Sequence, residues 1–321
     1  MKTNREILLA VRDGLEINEN QALQLLQIRN DSEEFYSLLS VANELSRQEY
    51  NNKGLVFAQI GINAEPCSKN CSFCSMGRAH YVLDSTWEKD TDAVLAEANL
   101  LIEQGVDSLF LMTTANYDIE KLLKIAGQVR SVVPDRVGFV ANIGDFDTEI
   151  ALKLQEAGFS GVYHIHRLRE GVDTDIDPGL RINTLNAAQA KGLEIFYCIE
   201  PIGPEHSYDE IITEMFRAKQ YHAEVMAVMR RIPVPGTPLF AKGQIPAIEL
   251  AKIAAVTRIT TRPKRAMNVH EPNLMALFAG VNMFFAEVGA NPRDVNSNTE
   301  KSIGLSVKGA RKMLWEAGYA E

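Results

Sequence analysis

Apolar positions along the first 48 residues recur at helical spacing, and those beyond residue 54 do not. Leu8, Leu9, Val11 and Leu15, and then Phe35, Leu38, Leu39, Ala42 and Leu45, follow a 3.6-residue period, so residues 3–48 are predicted to be helical throughout. Asn51-Asn52-Lys53-Gly54 interrupts that pattern as a turn. After it, short apolar runs alternate with polar-faced helical stretches, at 55–62, 106–112, 137–143, 159–165, 193–199, 224–229, 265–269 and 281–288. Gly105, Gly158, Gly192 and Gly280 each stand just before a run, where a glycine past a helix end supplies the left-handed cap that turns the chain into a strand. Near-continuous apolar strands separated by helices mean a parallel sheet covered by helices. Eight such units over about 260 residues predict an α/β fold, a closed (β/α)8 TIM-type barrel. An open doubly wound sheet is the rival, because a strand count does not prove closure. The expected organisation is an N-terminal helical extension over 1–50 and a barrel with a C-terminal helix over 51–321.

Composition narrows the partners. The chain has 321 residues, enough to bury a full core without staples. Its 33 Lys and Arg against 42 Asp and Glu give a net charge of −9 with no basic run, which argues against a nucleic-acid or anionic-membrane partner. No apolar stretch approaches the roughly 20 residues that cross a bilayer. Met1 to Arg12 lacks the basic-then-apolar order of a signal peptide, so a cytoplasmic chain is expected. Four cysteines are too few for a disulfide scaffold, and three of them fall within eight positions, which points to a reducing compartment and a metal site.

Those three stand in Cys67-Ser-Lys-Asn-Cys71-Ser-Phe-Cys74, directly after the first strand, where a barrel carries its active-site loops. Zinc calls for four protein ligands, or three and a water. An iron–sulfur cube held by three cysteines keeps one iron open. A structural zinc site and an open cube both remain at this point. No fourth Cys or His follows at zinc-knuckle spacing, His80 being the nearest.

The spacing Cys67-x3-Cys71-x-Phe73-Cys74 resembles the signature of the radical S-adenosylmethionine (SAM) superfamily. The resemblance runs from about Leu38 to Tyr319 and is nearest to the biotin synthase-like branch, which also holds methylornithine synthase and maturation enzymes for hydrogenase cofactors. It rests on the helical lead, Gly61-Ile62-Asn63, and Pro235-Gly236-Thr237-Pro238-Leu239. It implies that Cys67, Cys71 and Cys74 hold a 4Fe–4S cluster, with Phe73 beside it, and that the amino and carboxylate groups of SAM chelate the fourth iron. One-electron reduction then cleaves SAM to methionine and a 5′-deoxyadenosyl radical that abstracts hydrogen from an unactivated carbon.

The resemblance also implies sites for the rest of SAM. Thr113 and Thr114, ending the second strand, would meet the amino group. Arg181, in Arg181-Ile182-Asn183-Thr184-Leu185, would meet the carboxylate with a planar fork. Glu170 and His166, with Arg169 as charge partner, would face the ribose, and residues 196–205 would pack the adenine. Strand alternation further predicts that His164 and His166 share one side.

Polar groups at later strand ends suggest the substrate. Arg230 and Arg231 suit a carboxylate or phosphate, His270 and Glu271 suit positioning or a proton relay, and Asn142, Asp145 and Glu287 add to the rim. The auxiliary sulfur-donating cluster of biotin synthase needs further cysteines, but only Cys198 remains, with Leu111 and Ala141 at the other expected places. The expected activity is hydrogen abstraction from a small, polar, anionic metabolite. It would rearrange, cleave or join carbon skeletons in cofactor or amino-acid biosynthesis, with a flavodoxin- or ferredoxin-like reductant. The alternatives are a sulfur-inserting synthase with another sulfur source and a non-catalytic cluster-binding scaffold.

Overall fold

The computed structural model describes residues 2–270, 272–288 and 305–320. Eight parallel strands close into a barrel: β1 (Leu55–Gly61), β2 (Ser108–Met112), β3 (Gly138–Asn142), β4 (Gly161–Tyr163), β5 (Glu194–Ile202), β6 (Val225–Arg230), β7 (Ala266–Val269) and β8 (Met283–Val288). Closure is explicit in β1, where Phe57 is level with Ser108 on one side and Phe285 on the other. The open-sheet alternative is therefore excluded. A two-residue antiparallel pair, Asn63–Ala64 with Trp87–Glu88, extends β1 into the loop that follows.

Three helices precede the barrel: α1 (Asn4–Arg12), α2 (Glu19–Leu26) and α3 (Glu33–Glu49). The expected continuous helix is broken because Asn18 and Ser32 act as N-caps, their side chains accepting from Gln21 N and Phe35 N. Leu9 and Leu15, assigned to the buried period, are exposed. The helices that alternate with the strands are α4 (Thr91–Glu103), α5 (Ile119–Arg130), α6 (Thr148–Glu156), α7 (Pro178–Ala190), α8 (Tyr208–Gln220), α9 (Ala247–Thr261) and the short α10 (Leu274–Leu277), and α11 (Val307–Glu316) comes last. Asp90, Asp118, Asp147, Asp177 and Ser207 cap α4 to α8 at the barrel mouth. Each such cap stabilises by about 1 kcal/mol.

The N-terminal helices are fastened to the barrel through α9. Arg258 is fully buried and donates to Ser46 Oγ at 2.7 Å, and Ser46 Oγ in turn donates to Gly280 O at 2.6 Å. Gly280 (φ +88°) must be glycine, since a Cβ there would stand 2.6 Å from the Ala42 carbonyl oxygen.

Inside the barrel, Phe57, Phe110, Phe196 and Phe285 form an aromatic plug, with ring centroids 5.0 Å apart for Phe110 and Phe285 and 5.3 Å for Phe110 and Phe196. This plug fixes which residues face the lumen. Alternation from it places Gln59, Met112, Asn142, Tyr163, Cys198, Glu200, Met229, Asn268 and Glu287 inward. Leu111 and Ala141 instead face the helices, so the lumen positions beside them belong to Phe110, Met112, Val140 and Asn142.

Candidate active site at the barrel mouth

A cavity of 150 Å³ opens at the C-terminal mouth. Cys67, Cys71, Phe73 and Cys74 form one wall, and Thr113 and Thr114 extend it from the end of β2. Asn142, Tyr163 and Glu200 rise from the lumen below, while Arg167, Arg181 and Arg231 bring charge from the rim.

The cysteine loop is shaped by its own backbone and then fastened to its neighbours. Cys67 N donates to Met76 O at 2.7 Å, Arg78 N to Cys67 O at 2.9 Å, and Cys74 N to Cys71 O at 2.9 Å. His80 Nε2 lies 3.1 Å from the carbonyl oxygens of both Cys71 and Cys74, which makes it a brace for the loop. Outward ties follow: Ser72 N to Asp173 O (2.8 Å), Asp175 N to Lys69 O (2.8 Å), Leu239 N to Ser72 O (3.0 Å) and Ser68 Oγ to Asn116 (2.7 Å). The β2 end is locked by Asn63, whose Nδ2 donates to Thr114 Oγ1 and whose Oδ1 accepts from Thr114 N, each at 2.9 Å.

Burial pushes the Cys71 thiol up to about 12, with Arg167 opposing. Without a cationic centre this thiol stays protonated, so it is no nucleophile; a metal would hold it as thiolate. Four tetrahedral Zn–S bonds of about 2.3 Å would set the sulfurs about 3.8 Å apart. Among the described residues, the one set of ligand atoms within 4.8 Å of one another is Asp173, Glu205 and His206, so the three sulfurs are spread more widely than a single ion needs. That acidic set is itself no metal site. Gly203 N donates to His206 Nδ1 at 2.9 Å, which leaves the proton on Nε2, and both Glu205 oxygens face the guanidinium of Arg231.

Behind the cavity runs a buried chain of alternating charge. Lys69 Nζ lies 3.6 Å from Asp145 Oδ2, and Arg181 bridges Asp145 and Glu170 at 3.1 Å each. Arg167 lies 3.8 Å from Glu170 and 3.3 Å from Glu200, which also accepts from Tyr163 OH at 2.9 Å. Burial would raise Glu170, but Arg167 and Arg181 outweigh it and hold the carboxyl below its ordinary range. Three cations and three anions leave the chain neutral.

Several sequence-derived candidates stand elsewhere. β4 ends at Tyr163, so strand alternation does not reach the two histidines. His164 is buried 3.5 Å from Asp145 Oδ1, whereas His166 turns outward to Glu214 on α8 at 2.9 Å. Arg169 reaches Glu210 (2.9 Å) and Glu205 O (2.7 Å), away from the cavity. Glu170 supports Arg181 from behind. Arg231 lines the cavity, but its fork is spent on Glu205 and on Gly243 O, and Arg230 donates to Ile245 O at 3.0 Å. The expected arginine grip on an anionic substrate is thereby taken up within the protein. His270 stacks on Phe285 at 4.9 Å, and Glu271 lies outside the described residues.

No family model matches the chain. Among curated proteins it is similar to biotin synthase of Pelotomaculum thermopropionicum, 25% identical over 297 residues and covering 86% of this chain and 90% of the relative. Biotin synthase of Clostridioides difficile is 23% identical over 322 residues, covering 95% and 94%. Among solved structures, methylornithine synthase superposes with a TM-score of 0.82 at 17% identity, covering 97% of this chain and 96% of that one. The FeFe-hydrogenase maturase of Carboxydothermus hydrogenoformans gives 0.81 at 17%, covering 98% and 78%. In sequence the chain resembles the biotin synthase-like branch of the radical SAM superfamily, and it shares the barrel fold of the two solved structures.

The sequence reading missed Arg167, Glu200 and Asn63 as parts of the site. Arg167 follows the fourth apolar run and Glu200 the fifth, and only the fold shows both turning to one cavity. Asn63 carried a signal: a polar residue directly after an apolar run, at the mouth.

Proposed function

We propose that this chain is a radical SAM enzyme acting on a small polar metabolite, with Cys67, Cys71 and Cys74 holding a 4Fe–4S cluster. The observation that carries the reading is that all three cysteines line one cavity together with Thr113, Thr114 and Arg181. The donor set fits: three thiols, one of them kept protonated by burial, spread more widely than single-ion spacing. When bound, the cluster and SAM supply reductive cleavage of the sulfonium and hydrogen abstraction.

The residues of the chain do the rest. Thr113 and Thr114 offer carbonyls and a hydroxyl to an ammonium group, with Thr114 Oγ1 oriented by Asn63 and Glu65. Arg181 presents its guanidinium at the wall while Asp145 and Glu170 fix its plane. Tyr163, Met112 and Met229 close the space below against water, and a dry wall protects a reactive carbon centre from quenching. Cys198 faces the lumen beside Ala227 with no second cysteine near it, so sulfur insertion has no ligand set here. Among the described residues no helix is long and apolar enough to cross a membrane. Electrons would come from a flavodoxin- or ferredoxin-like protein in the cytoplasm.

The test is anaerobic reconstitution of wild type and Cys71→Ala. Wild type should bind about four iron atoms per chain and release 5′-deoxyadenosine from SAM under strong reductant. Cys71→Ala should keep its circular dichroism and lose both. Full iron content in Cys71→Ala, or wild type that binds SAM and never cleaves it, would favour a scaffold instead.

A further inference from the structure

Asn268 has no exposed surface, and neither its Oδ1 nor its Nδ2 has a hydrogen-bond partner. Register fixes where it points. Asn268 is level with Ala227 on β6 and Met283 on β8, which share the inward face with Cys198 and Phe285. An idle buried polar group costs about 1–3 kcal/mol. Native proteins keep such groups where a ligand or water completes them.

The surroundings narrow what completes this one. One inward step above Asn268 is His270, level with Met229, whose side chain lines the cavity. Asn268 lies one layer beneath the cavity lining, and a flexible thioether in that lining can adapt its shape. Across the lumen, Gln59 is level with Glu287 and accepts from Asn142 Nδ2 at 3.1 Å. The wall is thus furnished with carboxamides and a carboxylate, while the rim arginine Arg231 is engaged with Glu205. A planar carboxamide with both atoms idle matches a ligand edge that sets an N–H donor beside an acceptor, as Asn does when it pairs with a base edge.

We infer that Asn268 anchors the substrate by a planar amide-type edge, a carbonyl or ring nitrogen next to N–H as in a carboxamide, lactam or amino-heterocycle. This rests on the proposed function only in taking the cavity as the place of reaction.

The probe is 2-pyrrolidinone, with cyclopentanone as the acceptor-only control, used on the full chain. Crystals soaked in pyrrolidinone should show it within hydrogen-bond distance of Asn268. Its affinity by NMR titration should exceed that of cyclopentanone at least tenfold, and Asn268→Leu should erase the difference. If Asn268→Leu does not fold, Asn268→Ala takes its place. A lone ordered water at Asn268 in the soaked crystals, or equal pyrrolidinone binding by the variant, overturns the inference. SAM titration of reconstituted wild type is read alongside: failure there sinks the proposed function and leaves the Asn268 result standing.

Discussion

Asn63 and Thr114 exchange two hydrogen bonds, amide to hydroxyl and backbone to amide, joining the loop after β1 to the end of β2. Both residues are buried, so removing the Asn63 amide strands the Thr114 N–H, while Thr114 Oγ1 keeps its bond to Glu65. Asn63→Ala should cost about 1–3 kcal/mol of stability by urea unfolding. It should also lower SAM affinity more than it lowers iron content, because it frees Thr114 and leaves the cysteines in place.

Arg181 is held at 3.1 Å by both Asp145 and Glu170. Arg181→Met leaves Asp145 to Lys69 and Glu170 to the more distant Arg167, and should destabilise the fold by about 3 kcal/mol. Adding Glu170→Gln should recover part of that loss. A double-mutant cycle in urea reads the coupling, and strictly additive losses would contradict the pairing.

Burial pushes the His164 imidazole down to about 4, with Asp145 opposing. Between pH 6.5 and 4 the unfolded chain therefore binds a proton that the folded chain resists, so stability falls as pH falls through that window. The loss approaches about 3 kcal/mol at its lower end. His164→Gln should flatten the decline in Tm between pH 7 and 4.5. An identical decline in the variant would show that His164 is not its source.

Cys198 provides the matching control on the proposed cluster. It is fully buried on β5, facing the lumen. Cys198→Ala should leave iron content and 5′-deoxyadenosine release unchanged and cost about 1 kcal/mol for the lost packing. Iron below the wild-type value would point to a second inorganic centre.

The barrel was legible because its strands are apolar on both faces and its helices stop at glycines: Gly105 and Gly192 have φ of +78° and +72° at helix ends. The cysteine loop was legible because three thiols so close in sequence admit few readings. Side-chain commitment was not legible. Adjacent arginines in the sequence gave no sign that Arg231 would spend its fork on Glu205, since that partner comes from a separate loop 26 residues away. The histidine pair misled for a local reason: β4 is three residues long, so the alternation rule ended before it was needed.

The hydrogen bonds described above between the cysteine loop and other loops land on residues 116, 173, 175 and 239, which follow β2, β4 and β6. None of them lands on the β7–β8 side, where Asn268 and Glu287 stand. The ties described for the cysteine loop thus all run to the β2, β4 and β6 loops. Substitutions on the β7–β8 wall are therefore expected to change what the cavity accepts while the ties of the cysteine loop stay as they are.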